Sequence, residues 1–436
     1  MQMRSTLRRD ALREYAAGSL WVEPAAAGLA ALLAGTLLSQ VQVDRHSLLA
    51  PLAFQGTADD ARTLLITIAS TVVTVIALVL GLTVVALQLS STQFSPRLLR
   101  NFLRDRPTQL VLSVFIASFV YSGAGLYTVG VAAGNRVQDF PRLAVTGAIV
   151  LLFATLGMVV YFADHLAHSL QIDAITGRVQ AGTLNVVRTK PGTAEEPTPT
   201  PPPWAVAVLA PRSGYVETAH PERMLPLAAR HRLSVLIRPR VGEHVVAGTP
   251  LAWIWTASAT DPLPDPATFR TAVADAVRVG FERTLEQDAA FGIRQLVDMA
   301  CKALSPAVND PYTAVQAIDH LSVIFAALAV RPLGDDIARD ESAGAVVIVP
   351  GRRFGEYLAT MCGLIRRYGS SEPTVSVALL RLLTGCASFV GADAARQADI
   401  RRETDLILAD AERAVGQPAD LQQVRDAAAR LTRRPG

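Results

Sequence analysis

The chain has 436 residues, of which 50% are hydrophobic and 18% charged, with a formal net charge of +3. Its mean hydropathy is +0.31. Those values suit a membrane protein with a substantial water-facing part, and so modest a charge gives no global signal for nucleic-acid binding.

The N-terminal residues 1–19 carry Arg4, Arg8, Arg9 and Arg13. A short apolar region with a small-residue cleavage site does not follow, so no removable signal peptide is expected. Four apolar runs then reach the roughly 20 residues that cross a hydrocarbon core. They lie near Leu20–Val41, Ala61–Thr92, Thr108–Val131 and Pro141–Leu166. Basic residues concentrate before the first run and, as Arg97, Arg100, Arg104 and Arg106, between the second and third. The other two connections hold few. By the positive-inside rule both termini are cytoplasmic.

After the fourth run, "DHLAHSLQIDAITGRVQAGTLNVV" reads as a helix leaving the bilayer, and "TKPGTAEEPTPTPPP" as a linker or loop. From Trp204 the pattern turns to short strands: "AVAVLA", "GYVETA", "LSVLIRP" and "PLAWIW". From Pro266 helical patterns return at Thr268–Leu304, Pro311–Ala329, Phe354–Arg367 and Thr374–Phe389, interrupted by one strand candidate, "AGAVVIVP". The expected fold is thus a polytopic α-helical membrane protein with four transmembrane helices, N-in and C-in, and a cytoplasmic α+β region. Its parts are a segment at 1–19, a membrane domain at 20–170, an exit helix and linker at 171–203, a small β-barrel-like module at 204–265 and a mainly helical domain at 266–436. Cys301, Cys362 and Cys386 form no CxxC pair and read as reduced thiols.

Two long stretches carry a resemblance. "TVVALQLSSTQFSPRLLRNFLRDRPTQLVLSVFIASFVY" and "FERTLEQDAAFGIRQLVDMACKALSPAVNDPYTAVQAIDHL" resemble a family of predicted bacterial membrane proteins grouped as a domain of unknown function. The likeness covers nearly the whole chain and implies a membrane protein, with no functional residues to carry over. Residues 204–256, with "SGYVETA" and "RVGEHVVAGTPLAWI", are similar to the hairpins of biotinyl/lipoyl-like barrel-sandwich domains. Carriers of that kind hold their cofactor on a lysine, and this segment has none, so no cofactor is expected.

The second apolar run carries the most information. "TLLITIASTVVT", residues 63–74, has five hydroxyl side chains. At 100° per residue Thr63, Thr67, Ser70, Thr74, Gly81, Gln88 and Thr92 fall within roughly ±40° of one line. One explanation is a packing seam, where small residues admit a neighbouring helix and hydroxyls bond across it or to their own backbone. The other is a solvated pore lined by several copies. The run is about 45 Å long as a helix and would project past the bilayer. Its end, Gln88 to Gln93, is rich in uncharged polar groups. Both features tilt the reading to a pore lined by those seven residues, with Arg97, Arg100 and Arg104 at its cytoplasmic mouth. The membrane runs hold few carboxylates, which gives a slight lean to anions.

Other clusters have plainer readings. Asp164, His165 and His168 suit interfacial anchoring better than a metal site. Asn309–Asp310 before Pro311 marks a helix start with Asp310 as N-cap. Glu282, Arg283, Glu286 and Asp288 read as a solvated or paired helix face. Walker A, HExxH, GxSxG, EF-hand and kinase signatures are missing, so catalysis is not expected. The expectation is therefore a homo-oligomeric ion channel of the bacterial inner membrane, without metal or cofactor, whose partners are lipid, ions and further copies of itself. The alternative is a non-conducting scaffold or sensor whose cytoplasmic domain binds a ligand or partner.

Overall fold

The computed structural model describes residues 21–40, 51, 53–93, 106–131, 140–169, 171–189 and 198–432. The chain divides into two compact units, residues 1–174 and 175–436.

The first unit holds helices α1 (Val22–Leu38), α2 (Ala58–Gln93), α3 (Arg106–Val131) and α4 (Arg142–Ser169). α3 is the hub and packs against α1, α2 and α4. Leu65, Ile68, Val72 and Val79 of α2 meet Val111, Leu112 and Phe115 of α3 in one buried cluster with Ala148 and Phe162 of α4. The outward faces are apolar instead of charged: Leu29, Leu33 and Leu37 on α1, and Val150, Phe153, Leu156 and Val160 on α4, are exposed. Apolar faces this extensive suit hydrocarbon, where a helix already satisfies its own backbone.

Glycines set how closely α1 meets α3. A Cβ on Gly28 would lie 3.2 Å from Ile116 Cγ2, and one on Gly35 would lie 3.1 Å from Ala124 Cβ. Ser39 and Thr128 join the end of this seam with a hydroxyl pair at 3.1 Å. α2 starts at a reciprocal cap. Thr57 N–H donates to Asp60 Oδ2 at 2.9 Å, and Asp60 N–H donates to Thr57 Oγ1 at 3.2 Å. Arg142 opens α4 and donates to the Phe54 carbonyl at 2.8 Å, with its guanidinium 4.7 Å from the Phe140 ring.

The second unit begins with α5 (Ile172–Thr189), whose buried residues Ile175, Val179, Thr183 and Val186 recur at helical spacing. What reads in the sequence as one exit helix is therefore two, α4 ending at Ser169 and α5 starting at Ile172. Strands follow: β1 (Val206–Leu209), β2 (Gly214–Ala219), β3 (Ser234–Ile237), β4 (His244–Val245) and β5 (Pro250–Trp255), with α6 (Pro221–His231) between β2 and β3. Then come α7 (Pro266–Ala276), β6 (Val277–Gly280), α8 (Ala289–Ala303), α9 (Pro311–Ala329), β7 (Asp336–Asp340) and β8 (Ala345–Val349). Helices α10 (Phe354–Gly369), α11 (Pro373–Val390), α12 (Ala394–Ala414) and α13 (Pro418–Thr432) end the chain.

The strands form two sheets, of order β1-β5-β3-β8-β7 and β4-β2-β6. All pairs are antiparallel except β3 with β8. The barrel-like expectation thus gives way to a small α/β arrangement. Its physical cause is α6, an amphipathic helix that buries Met224 and Ala228 and packs on β7, β8 and α7. The sheets also draw β6, β7 and β8 from the region expected to be mainly helical, β8 being the strand expected at "AGAVVIVP". Val235, Ile237, Leu251, Ile254 and Val347 form the shared core, each burial worth roughly 1.5–3 kcal/mol. Thr268–Leu304 is not one helix: α7 stops at Ala276, β6 intervenes, and α8 restarts at Ala289 behind its N-cap Asp288.

Five helices among the described residues are long and apolar enough to cross a membrane by length and composition. They are residues 58–88, 106–129 and 142–168 of the first unit, together with α9 and α11 of the second. The first expected span forms a shorter helix, the 17 residues of α1.

Candidate functional site

The α2 stripe is the site to build. The face of α2 that its own subunit covers is Ala61, Leu65, Ile68, Val72, Val79 and Ala86, all buried. These positions repeat every three, four or seven residues, so they form one line. At 100° per residue it points about 160° away from the line of Thr63, Thr67, Ser70, Thr74, Gly81 and Gln88. All six of those residues, and Ala77 among them, are exposed. The polar line thus runs along the wide side left bare among the described residues when α2 packs on α3 and α4, flanked by exposed apolar residues such as Val73, Leu80 and Val84. Gly81 marks the difference most sharply, since a Cβ built on it would meet nothing within 4 Å.

Among the described residues the hydroxyls of Thr67 and Thr74 bond within their own helix and not across to another. Thr67 Oγ1 donates to the Thr63 carbonyl at 2.8 Å, and Thr74 Oγ1 to the Ser70 carbonyl at 3.1 Å. Back-bonding of this kind spends the donor and leaves oxygen lone pairs facing outward. Thr83 belongs to the covered side and donates to the Val79 carbonyl at 2.7 Å. The side chain of Thr92, and Arg97, Arg100 and Arg104, lie outside the described residues.

The remaining clusters have structural employment. His168 Nδ1 lies 2.8 Å from the Asp164 carbonyl, and His165 stacks on Tyr161 with centroids 6.2 Å apart. Asp310 caps α9 by accepting from Thr313 N–H at 3.1 Å and Thr313 Oγ1 at 2.6 Å, with Pro311 beginning the helix. The hydroxyl and amide of Thr313 hold the Asp310 carboxyl below its usual range. Arg283 donates to Asp288 at 2.6 Å, and Asp288 accepts from Phe291 N–H at 3.1 Å. Arg278 bridges Glu217 and Glu286.

Sequence reasoning passed over a second polar set, inside the bundle on α3. Ser118 Oγ and Thr155 Oγ1 lie 2.8 Å apart and fully buried. Gln109, Tyr121 and Ser122 bury side-chain polar atoms with no hydrogen-bond partner among the described residues. Tyr121 needs Gly147, whose Cβ would sit 2.2 Å from the phenol oxygen. The signal was there in Ser113, Ser118 and Ser122, but small polar residues on an apolar helix do not say which side faces inward.

Comparison with known proteins fits this geometry. Residues 17–385 match the model of a family described as predicted membrane protein (DUF2254). The chain belongs to this family. It is similar to uncharacterized protein Rv1290c of Mycobacterium tuberculosis and to uncharacterized protein Mb1321c of Mycobacterium bovis. Each is 42% identical over 438 residues, which cover 98% of this chain and 84% of the relative. No solved structure matches the chain. Family membership and the apolar helices together make it a multi-pass membrane protein in contact with lipid.

Proposed function

We propose that this family member is a homo-oligomeric ion channel of the bacterial inner membrane, non-enzymatic, in which α2 of each copy lines a central axis. In this reading α1 to α4 are the four spans and both termini are cytoplasmic. α9 and α11 are core helices of the cytoplasmic unit. Asp319 of α9 and Arg381 of α11 pair at 2.5 Å with both side chains more than half exposed, an arrangement that belongs in water. The 17 residues of α1 reach the lower end of the spanning range.

The observation that carries the proposal is the bare polar face of α2. A line of small and hydroxyl residues that includes Gly81 lies exposed, uncovered by any described helix of the subunit, while apolar residues cover the outward faces of α1 and α4. Arranged around an axis, several copies would hide that line from lipid and offer its oxygens to water and ions. Arg97, Arg100 and Arg104 would then form a cationic mouth that favours anions.

The second reading is a non-conducting scaffold or sensor. It draws on the back-bonded hydroxyls of Thr67 and Thr74, which tolerate a protein or lipid neighbour. Flux through liposomes containing the purified full chain separates the two. The channel reading expects ion flux that Thr74→Leu or Gln88→Leu changes. Absence of flux under every gating condition, together with a monomer in detergent, overturns it.

A further inference from the structure

The second unit has a partly open cavity of about 90 Å³. That is well above the space a single water needs, so it has room for several waters or a small organic molecule. Its wall is assembled from segments far apart in sequence: the last turn of α5, the turn before β4, the loop after α9, the end of β8, and the first residues of α8 and α10.

The apolar part of the wall is Val187, Leu328 and Val349. The charged part is Arg240, Arg331 and Arg352 with Asp288 and Asp336. Arg240 is neutralised by Glu356 at 2.5 Å, and Asp288 by Arg283 at 2.6 Å. Asp336 has an interaction of its own as well. Among the described residues the Arg331 side chain donates to a neutral acceptor alone, the Arg188 carbonyl, at 2.9 Å. The Arg352 side chain makes no hydrogen bond or ion pair with a described residue, although its charge reaches Asp288, Glu356 and Tyr357. Two guanidinium groups with no carboxylate hydrogen-bonded or ion-paired to them among the described residues therefore line one small cavity.

The backbone adds to this field. α8 and α10 both begin at the cavity, and helix N-termini are positive. The opposing negative end, the C-terminus of α9, is covered by Arg396, which donates to the Ala329 and Arg331 carbonyls at 2.8 and 2.9 Å. Tyr357 gives a neutral donor. Burial pushes its hydroxyl up to about 12, yet the residue keeps part of its surface accessible, as a side chain at the inner wall of a cavity does. Gly242 keeps the neighbouring turn open at φ +87°, where a Cβ would lie 1.9 Å from Asp288 Oδ2.

We infer that this cavity binds a small organic anion, its carboxylate or phosphate held by Arg331 and Arg352 and its apolar body seated on Val187, Leu328 and Val349. The inference does not depend on whether the bundle conducts.

Thermal unfolding of the full-length protein in detergent tests it with four probes: benzoate, phenyl phosphate, inorganic phosphate, and benzamide as the neutral isostere of benzoate. Benzoate and phenyl phosphate are expected to raise the Tm in a saturable way, inorganic phosphate less, and benzamide not at all. Arg352→Gln removes a side chain with no hydrogen bond or ion pair among the described residues, whose charge acts on Asp288 and Glu356 only through space, so the variant should unfold near the wild-type temperature without ligand and lose affinity at least about tenfold. No shift with either organic anion, or an equal shift in Arg352→Gln, overturns the site. An inorganic phosphate shift as large as that of phenyl phosphate overturns the apolar seat.

Discussion

Two faces of the helical bundle are built from the same small residues and treated in opposite ways. Along α1, Gly28, Ala31 and Gly35 are buried against α3, and added atoms would strike Ile116 and Ala124. Along α2, Ser70, Ala77 and Gly81 are exposed, and an atom added at Gly81 meets nothing. Small residues in a membrane helix are therefore not one signal. Where a described helix packs on them they close a seam; along α2 they stay exposed among the described residues.

The largest effect should come from breaking the closed seam. Gly35→Val forces a branched side chain onto Ala124 and the Tyr121 backbone, and should cost about 1–3 kcal/mol or more. Detergent-solubilised protein should lose its monodisperse form or unfold at markedly lower temperature. Next, Ser118→Ala leaves Thr155 buried without its interhelical partner. Together with Thr155→Val in a double-mutant cycle it should show a coupling of about 0.6 kcal/mol, the usual size for such bonds in membranes.

A cap in the second unit gives a similar but titratable contrast. Thr313 bonds a carboxylate, whereas Thr67 and Thr74 bond their own helix. Asp310→Ala should cost about 0.5–1 kcal/mol at neutral pH. Because the folded pKa of Asp310 is lowered from 3.8, its stabilisation is present above that value. It is lost as the pH falls through the folded pKa, so the difference between wild type and Asp310→Ala in chemical denaturation should shrink there. The smallest effect on the isolated subunit belongs to Gly81→Val, expected within about 0.5 kcal/mol of wild type. The same substitution should disturb assembly or flux if copies meet along the stripe. A large loss of monomer stability would mean that the stripe is a seam after all.

Much of this was legible because covalent geometry fixes it. The apolar runs near Ala61–Thr92, Thr108–Val131 and Pro141–Leu166 became α2, α3 and α4, since long runs without charge have few other options. The stripe on α2 followed from the 100° step alone. "AVAVLA", "GYVETA", "LSVLIRP", "PLAWIW" and "AGAVVIVP" each supplied a strand. What failed depended on partners. "VRVG" of β6 is four residues beside a helical pattern, and it is a strand because β2 pairs with it. β7, "DIARD", is mostly polar and owes its state to β8. Which face of α2 would be covered was hidden, because Val, Ile and Thr line both sides. The cavity was hidden more deeply, for Val187, Arg240, Arg331 and Arg352 meet only through the tertiary fold.

The central claim is that the bare face of α2 meets water in the assembled protein. Cysteines placed singly at Thr67, Ser70 and Thr74, with Leu80→Cys as a control on another exposed side of the helix, test it through reaction with a membrane-impermeant thiol reagent in intact membranes. The native thiols leave a quiet background: Cys362 and Cys386 are buried, and burial pushes Cys386 up to about 12 and Cys301 up to about 11. The account predicts that the three stripe positions react and Leu80→Cys does not. Stripe cysteines as unreactive as Leu80→Cys would contradict it.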